Sequence, residues 1–365
     1  TESSRIEKII PTIKMLSEKE AKIIILSHIG RPKGKVVKGM SLEPISKKLA
    51  SLLNKDVIFN KNIINDNTLS EVNKIQNGSI MMLENIRFNQ GEESNDSEFS
   101  KRLSNLGDIY VNDAFSSSHR SHASIEGITK YIPSYFGLQI TQEIEVLKKI
   151  TSEIKKPVTL IIGGSKISTK INIINNLAKK FNNIIIVGGM ANTMLKHTGS
   201  KVGKSICEDD CGSLINEILY ISKKFDCKIT FPIDAVVSKN IEGVGESKNI
   251  KEINDDEMIL DIGPKTISLI KKTINDSNTV LWNGPAGYFE NPNFQTGTKE
   301  ILEIISQKTI NDKIFSVAGG GETVAAINKF KKLDSFTFVS TAGGAFLEYL
   351  EGKTLPGIKA LNQND

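Results

Sequence analysis

The sequence predicts an α/β protein built from two doubly wound, parallel-sheet domains of the Rossmann-like kind. Short β-rich runs alternate with amphipathic helical stretches, and this alternation begins again after residue 157. A helical stretch that contains no Gly or Pro lies between the two series. At roughly 100 to 200 residues per domain, a chain of 365 residues also indicates about two domains.

The predicted strands divide into two groups. In the first third of the chain they cover residues 22 to 28, 56 to 60, 79 to 85 and 108 to 115. After residue 157 they cover residues 157 to 162, 183 to 187, 228 to 237, 257 to 262, 279 to 282, 314 to 318 and 336 to 340. Residues 139 to 153 have apolar side chains at helical spacing and are predicted to form a helix that connects the two domains. We therefore place the domain boundary at this helix.

The composition is that of a globular protein and argues against several functional classes. Hydrophobic residues make up 39% of the chain, and the longest apolar runs are interrupted well short of a membrane-spanning length, so no membrane contact is expected. The three cysteines, Cys207, Cys211 and Cys227, lack the partners of a zinc site, which predicts reduced thiols in a cytoplasmic protein. The net charge of +5 is spread along a lysine-rich chain with few aromatic residues, so nucleic acid is not an expected partner.

Arginine is used sparingly in this chain. Of the 47 Lys and Arg residues, the arginines are only Arg5, Arg31, Arg87, Arg102 and Arg120. A chain that otherwise uses lysine is expected to keep arginine where a planar, bidentate donor is needed. Arg102 follows Lys101 on a polar helix and is interpreted as a surface residue. The other four are predicted to lie in loops at the ends of strand-like runs.

Three of these arginines belong to polar segments that end predicted strands. The segments are Ser27-His28-Ile29-Gly30-Arg31-Pro32, the LENIRF stretch that ends near Arg87, and the DAFSSSHR stretch that ends at Arg120, with His119 and His122 nearby. A single Arg or His in such a loop is more often a cap or a surface ion pair. Several that converge on one sheet edge predict a site for a small phosphorylated acid.

In the second domain, strand after strand runs into glycine. The turns are Gly163-Gly164, Gly188-Gly189, Asn283-Gly284-Pro285, Gly319-Gly320-Gly321 and Gly343-Gly344. Ligands of doubly wound sheets bind at the carboxyl ends of the strands, where glycine lets backbone N–H groups approach phosphate. Tight strand-to-helix turns use glycine anyway, but the repetition favours a phosphate site.

Two other phosphate-binding motifs are excluded. Residues 199 to 205 resemble a P-loop, but too few residues separate Gly199 from Gly203. No GxGxxG dinucleotide motif follows a predicted strand with an acidic residue at the required distance.

The first glycine turn is followed by Lys166 and Lys170. If the helix has already begun there, both lysines share one face and can reach a polyphosphate. The alternative is a solvated lysine face, which is the usual fate of lysines at this spacing.

Seven motifs carry a resemblance to a known family. They are SHIGRP (27–32), LENIRF (83–88), DAFSSSHR (113–120), GGSKISTK (163–170), NGPAGYFE (283–290), AGGGETVAA (318–326) and STAGGAFLE (340–348). In order and spacing the chain resembles the phosphoglycerate kinase family.

The resemblance implies two domains around a hinge. Residues 1–138 would bind 3-phosphoglycerate, and residues 139–350, with the connecting helix, would bind ATP or ADP with Mg²⁺. The segment 351–365, with the motif LPGIKAL, is expected to return to the first domain. The implied reaction is reversible phosphoryl transfer between ATP and 3-phosphoglycerate, which gives ADP and 1,3-bisphosphoglycerate, by a monomer.

The resemblance also implies the site residues. On the substrate side they are Arg5, His28, Arg31, Arg87 and Arg120. On the nucleotide side they are Gly163, Gly164, Lys166, Lys170, Gly188, Gly189, Asn283, Glu290, Gly319, Gly320, Gly321, Glu322 and Thr341, with Gly343 and Gly344 along the phosphate path. Glu290 would accept hydrogen bonds from the ribose hydroxyls, and Glu322 would be the metal-side carboxylate. The implied catalytic residues are Arg5, Lys170, Gly320 and Gly343. Since the substrate carboxylate attacks directly, Arg5 and Lys170 would neutralise charge on the transferring group.

Three departures from the family pattern are visible. Ser116 replaces a glycine, and Glu322 replaces an aspartate, which lengthens the side chain by one methylene. The family's opening strand, Arg-x-Asp-x-Asn-x-Pro, has no counterpart after Thr1, so the chain is expected to be a truncated form. The alternatives are a shortened relative that binds nucleotide without turnover, and an acyl-phosphate kinase for another acid.

Overall fold

The computed structural model describes residues 4–311 and 313–362. The predicted start at Thr1 and the final residues of the predicted tail, 363–365, lie outside the described residues. The chain forms two compact units, the first made of residues up to Ile144 together with the segment from Thr354, and the second of Glu145–Lys353.

The strands and helices alternate along much of the chain. The strands are β1 (Ile23–Ile25), β2 (Val57–Asn60), β3 (Ile80–Leu83), β4 (Tyr110–Asn112), β5 (Ser134–Phe136), β6 (Val158–Ile162), β7 (Asn183–Ile186), β8 (Lys228–Thr230), β9 (Asp234–Ser238), β10 (Glu246–Asn249), β11 (Met258–Ile262), β12 (Thr279–Asn283), β13 (Phe315–Gly319) and β14 (Phe338–Ser340). The helices are α1 (Ser4–Glu18), α2 (Glu43–Leu53), α3 (Asp66–Lys74), α4 (Gln90–Glu93), α5 (Ser97–Ser104), α6 (Leu138–Thr151), α7 (Ile171–Ala178), α8 (Gly189–His197), α9 (Gly212–Lys224), α10 (Pro264–Asn275), α11 (Thr296–Ile310), α12 (Gly321–Lys329), α13 (Gly344–Leu350) and α14 (Pro356–Asn362).

The first unit contains two parallel sheets. One has the strand order β1-β3-β2 and the other pairs β4 with β5. The residues of β3 are all buried, because apolar clusters cover both of its faces. The strand β5 was not predicted from the sequence. The helix α14 packs on this unit, where the Gly357 N–H donates to the Ser118 carbonyl oxygen at 2.9 Å.

The second unit is built on a six-stranded sheet with the order β14-β13-β12-β6-β7-β8, in which every pairing is parallel. Its central strands β6 and β12 are buried along their whole length. Trp282 lies fully buried in the core on β12 and stacks on Phe336 with a centroid distance of 6.1 Å. The carboxyl ends of β6, β12 and β13 run directly into the glycine turns.

The prediction of one strand over residues 228 to 237 is wrong. The run forms β8 in the parallel sheet and then β9 in a separate antiparallel sheet of order β10-β9-β11. Pro232 lies between the two strands, and because proline has no N–H to donate, it interrupts a hydrogen-bonded ladder.

The predicted connecting helix is present as α6. Its first turn is held by Asp113, whose Oδ1 accepts from the N–H groups of Gln139 and Ile140 at 2.9 and 3.1 Å. The Thr12 hydroxyl donates to Asp113 Oδ2 at 2.6 Å. Desolvation raises the pKa of Asp113, while these hydrogen bonds lower it. The division between the two units falls within this helix, between Ile144 and Glu145.

Candidate active site

Arg87 is the most deeply buried arginine of the predicted substrate side. It lies on a 3-10 turn, Ile86–Phe88, and is 2% exposed. The Arg87 Nη1 donates to the Gly30 carbonyl oxygen at 2.7 Å, and the Arg87 backbone N–H donates to Asn85 Oδ1 at 3.1 Å. The Nη2 and Nε groups are buried and have no hydrogen-bond partner among the described residues. Because a buried donor without a partner is costly, this geometry indicates a place for an acceptor from a ligand.

Other basic side chains surround Arg87, and we call His28, Arg31, Arg87, Arg120 and His122 the basic cluster. Burial and the charges of Arg120 and Arg31 lower the pKa of Arg87, while Glu93 and Glu92 raise it. Burial and the charges of Arg87 and Arg120 lower the pKa of His28 to about 4, so its imidazole is neutral near pH 7. Like charges held together in this way favour an anionic ligand.

The structure corrects the predicted location of two arginines. Arg5 lies in the first turn of α1 rather than in a loop, and Arg87 lies on a 3-10 turn. Arg5 is exposed there, and its charge is one of the effects that lower the pKa of Lys8, after burial. A contact between Arg5 and the basic cluster stays a prediction. Arg31 is also exposed, in the loop that follows β1.

In the second unit, the glycine turns of β6 and β12 contact each other through their backbones. A Cβ on Gly163 would lie 2.3 Å from the Pro285 carbonyl oxygen, and Gly284 has φ +111°. Neither position leaves room for a side chain, since backbone atoms cannot move away easily. Gly164, Gly188 and Gly189 pack together in the same way at the end of β7.

Lys170 lies above these turns, at the start of α7. Its Nζ donates to the Gly163 carbonyl oxygen and to Asn283 Oδ1, the latter at 2.7 Å. Burial lowers the pKa of Lys170 to about 8, while the Glu322 carboxylate raises it. A partly desolvated cation at backbone glycine turns is suited to interact with phosphate.

Lys166 does not share a helix face with Lys170. The helix begins only at Ile171, so the condition under which the two lysines would share a helix face is not met. The loop before α7 is instead held by Glu208, whose carboxylate accepts from the Ser168 N–H at 3.0 Å and from its hydroxyl at 2.6 Å. Lys166 is exposed on this loop.

The next turns place an amide and a carboxylate near Lys170. Asn283 is buried and donates through Nδ2 to the Gly319 carbonyl oxygen at 2.7 Å. Gly320, with φ +94°, precedes α12, and Gly321 and Glu322 form its first turn. Glu322 is exposed, as is Gly321. The Glu322 carboxylate therefore faces solvent, and its charge raises the pKa of Lys170.

Three other predicted residues lie in two further loops of the second unit, one after β12 and one after β14. Glu290 is exposed after β12, where its backbone carbonyl accepts from Lys329 Nζ at 3.3 Å. Thr341 is half-buried after β14, and Gly343, with φ +56°, precedes the helix α13, which Gly344 begins. Their roles toward a nucleotide stay predictions.

Sequence reasoning missed the carboxylates that hold these loops. Glu84 accepts from the N–H groups of Leu42 and Asn85 and from the Ser41 hydroxyl. Glu92 and Glu93 contact the basic cluster, and Glu208 holds the lysine loop. Glu92 and Glu93 could have been suspected, because they follow the LENIRF stretch closely in the sequence. Within residues 4–311 and 313–362, no helix is long and apolar enough to cross a bilayer.

Comparisons with known proteins identify close similarity over the whole chain. The family model for phosphoglycerate kinase matches residues 1–353. The chain is 45% identical over 365 residues to a phosphoglycerate kinase of Chelativorans sp. (strain BNC1), which covers all of this chain and 92% of that protein. It is 44% identical over 367 residues to one from Rhizobium meliloti (strain 1021), with the same coverage.

Solved structures give the same result. The structure of phosphoglycerate kinase from Coxiella burnetii matches with a TM-score of 0.91 and 37% identity, over 100% of this chain and 92% of that one. The Pyrococcus horikoshii OT3 enzyme matches with a TM-score of 0.82 and 27% identity, over 99% and 91%. The predicted α/β fold class and the predicted family are thereby confirmed. This chain belongs to the phosphoglycerate kinase family.

Proposed function

We propose that this chain catalyses reversible phosphoryl transfer between ATP and 3-phosphoglycerate, with ADP and 1,3-bisphosphoglycerate as products. The observation that supports this proposal most directly is the environment of Arg87. Its guanidinium is buried among other basic side chains, and its Nη2 has no hydrogen-bond partner among the described residues. Such a group fits a phosphate or carboxylate of a small acid, because a planar fork binds these anions in a bidentate manner.

Each unit would bind one of the two substrates. The basic cluster of the first unit would bind the phosphorylated acid, and the glycine turns with Lys170 in the second would bind the nucleotide phosphates. A carboxylate oxygen of the acid would form a bond to the γ-phosphorus as the bond to the β–γ bridging oxygen breaks, leaving ADP. No protein nucleophile is required. The protein's contribution is to position the anions and to stabilise the charge of the transition state, with Lys170 as the donor closest to the turns.

The residues present fit a magnesium ion that arrives with the nucleotide. Mg²⁺ is usually held by one or two carboxylates together with substrate phosphates. Glu322 offers one exposed carboxylate, whose charge raises the pKa of Lys170, and the described part of the chain contains no group of three potential ligands for a resident metal. When bound, Mg²⁺ would neutralise phosphate charge. Glu322 would hold it.

The alternative of a nucleotide-binding relative without turnover is not favoured, since the matched relatives are named as kinases. A cytoplasmic location, a monomeric state and the absence of nucleic-acid partners stay part of the proposal.

The test of the substrate assignment is a coupled assay with ATP and 3-phosphoglycerate on the full chain. Arg87→Lys retains the charge but loses the planar fork, so KM for 3-phosphoglycerate should rise about tenfold or more, a loss near 1.4 kcal/mol. The Kd for ATP, measured by calorimetry, should stay unchanged. Arg102→Lys is the matched control, because Arg102 is exposed and pairs only loosely with Asp66 at 3.6 Å. An Arg87→Lys enzyme with wild-type KM would contradict the assignment.

A further inference from the structure

The short helix α4 carries two consecutive glutamates that contact different parts of the basic cluster. Glu93 Oε1 lies 3.5 Å from Arg87 Nε. Glu92 accepts from the Ser124 hydroxyl at 2.7 Å and from the Ser124 N–H at 3.0 Å, and its Oε1 lies 3.6 Å from His122 Nδ1. One glutamate therefore faces the guanidinium, and the other holds the loop that follows Arg120.

The two carboxylates differ in how firmly they are held. The Glu92 side chain is 2% exposed, and its backbone carbonyl also accepts from the Ala123 N–H at 3.0 Å. The Glu93 side chain is 36% exposed, and within the described part of the chain Arg87 Nε makes no hydrogen bond despite the ion pair. A partly exposed carboxylate that makes no hydrogen bond to its guanidinium is held less firmly, and is more easily exchanged, than a buried carboxylate with several hydrogen bonds.

We infer that Glu93 is a resident counter-ion of Arg87, which the anionic substrate displaces when it binds, and that Glu92 is a positioning residue for the loop of Arg120 and His122. This inference rests on the proposed function for its substrate. In the free protein the Glu93 carboxylate balances part of the charge on a buried guanidinium. On binding, a phosphate or carboxylate of the substrate takes its place and gains the better hydrogen bonds that Nε and Nη2 offer.

The two roles predict effects of opposite sign. Removing the counter-ion should strengthen anion binding, because no carboxylate then competes for Arg87. Loosening the loop should weaken anion binding, because Arg120 is no longer held in place. A merely structural role for either residue would lower thermal stability and leave the affinity at low temperature unchanged.

Calorimetric titration of the full chain with 3-phosphoglycerate, and separately with sulfate, tests the role of Glu93. Glu93→Gln should lower the Kd of both anions about threefold to tenfold, which corresponds to up to about 1.4 kcal/mol. Glu93→Asp keeps the charge but is one methylene too short to remain beside Nε, so it should behave like Glu93→Gln. Glu98→Gln, at an exposed position on α5, is the matched control for a change of net charge alone.

Several outcomes would overturn the counter-ion role. One such outcome is that Glu93→Gln and Glu98→Gln both bind the anions more tightly while Glu93→Asp binds them as the wild type does. The effect would then come from the net charge of the protein and not from the contact with Arg87. Equal affinities in all four proteins would also contradict displacement. If the wild type binds sulfate but not 3-phosphoglycerate, and Glu93→Gln and Glu93→Asp both tighten sulfate binding, then the substrate proposal fails while the counter-ion role stands.

The role of Glu92 is tested in the same titrations. Glu92→Gln places an amide N–H against the donors of Ser124, so the Kd for 3-phosphoglycerate should rise about tenfold or more. The Kd for ATP should not change, since the nucleotide turns belong to the other unit. A Glu92→Gln protein that melts earlier but binds 3-phosphoglycerate as the wild type does would make Glu92 purely structural.

Discussion

Lys170 shows how much of the site depends on where a side chain is placed after the backbone has folded. The sequence has two lysines after a glycine turn, and of the two it is Lys170 that reaches the Gly163 carbonyl oxygen and Asn283 Oδ1. Lys166 stays exposed on the loop that Glu208 holds. The difference arises because α7 begins at Ile171, so helical spacing does not apply to residues 166–170.

The first prediction concerns the charge of Lys170. Its pKa of about 8 means that the side chain is partly neutral at that pH in the free protein. A polyphosphate beside it favours the charged form, so ATP binding should take up protons near pH 8 and few near pH 6.5. Calorimetry in two buffers of different ionisation enthalpy measures this uptake. Lys170→Ala should abolish the uptake and lower kcat about a hundredfold or more, with a much smaller change in the Kd for ATP.

Lys166→Ala is the matched control for that experiment, because it removes the same charge from an exposed position on the same loop. It should leave proton uptake intact. Equal losses of kcat and ATP affinity in Lys170→Ala would make Lys170 an ordinary ground-state contact with phosphate.

Other residue-scale features could not be read from the sequence. His28 is a predicted ligand, but its neutral state follows from burial beside Arg87 and Arg120, which only the fold brings together. The counter-ion contacts of Glu92 and Glu93 depend on the direction of the short helix α4. The sequence supplied the residue types, and tertiary packing decides their partners and their charge.

At the scale of elements, the strand ends are predictable and the sheet assignments are less so. The runs over 157 to 162 and 279 to 282 become the fully buried strands β6 and β12, because their branched and apolar residues suit a central parallel sheet. Within residues 228 to 237, Pro232 marks the break between β8 and β9. The antiparallel pairing of β9 with β11 is not visible in the local pattern, since strand pairing is set by long-range contacts.

The second prediction concerns the backbone contact between the turns of β6 and β12. Gly163→Ala would place a Cβ 2.3 Å from the Pro285 carbonyl oxygen, so the free energy of unfolding should fall by about 1–3 kcal/mol or more. Because the same turns are proposed to bind phosphate, the Kd for ATP should rise as well. Urea unfolding and calorimetry on the same protein measure both quantities.

Gly321→Ala is the matched control for the glycine turn. A Cβ there meets nothing within 4 Å, and alanine is favoured over glycine in a helix by up to about 1 kcal/mol. The free energy of unfolding of the Gly321→Ala protein should therefore stay the same or rise. If this variant loses anything, the loss should be in its affinity for ATP. Unchanged stability in Gly163→Ala would mean that the two turns separate more easily than their packing indicates.

At the scale of the whole molecule, arginine and glycine are divided between the two units. The arginines all precede residue 121 and so belong to the first unit, while the glycine turns that surround Lys170 belong to the second. This division was visible in the sequence, since it depends only on residue type and position. The pKa shifts of the buried titratable groups in each unit could not be predicted from the sequence, because they depend on packing.

Two of these buried groups, His28 in the first unit and Asp261 in the second, make opposite contributions to the pH dependence of stability. The pKa of His28 in the first unit is lowered from 6.5 to about 4, so the unfolded chain binds more protons in that range and stability rises with pH. In the second unit, burial raises the pKa of Asp261 from 3.8 to about 7, against the N–H donors of Gly297 and Ile262. The folded state then binds more protons in that range, and stability falls as pH rises.

The third prediction is that single variants separate these two contributions. Between about pH 5 and pH 7, Asp261→Asn should make the slope of unfolding free energy against pH more positive than in the wild type, and His28→Asn should make it less positive. Each change is at most about 1.4 kcal/mol per pH unit, since each group exchanges one proton. Asp113, whose pKa is also raised by burial, is present in all three proteins and cancels in the comparison.

Urea unfolding at several pH values, followed in two ways, measures these slopes. The single tryptophan, Trp282, is fully buried in the second unit, so its fluorescence reports on that unit, while circular dichroism reports on both. If the units unfold separately, Asp261→Asn should change the transition seen by fluorescence. His28→Asn should then change only the transition of the first unit, which circular dichroism detects and fluorescence does not. Slopes that are identical in the three proteins would mean that neither group changes its protonation on unfolding in this range. They would also remove the ground for treating His28 as a neutral imidazole held within a basic cluster.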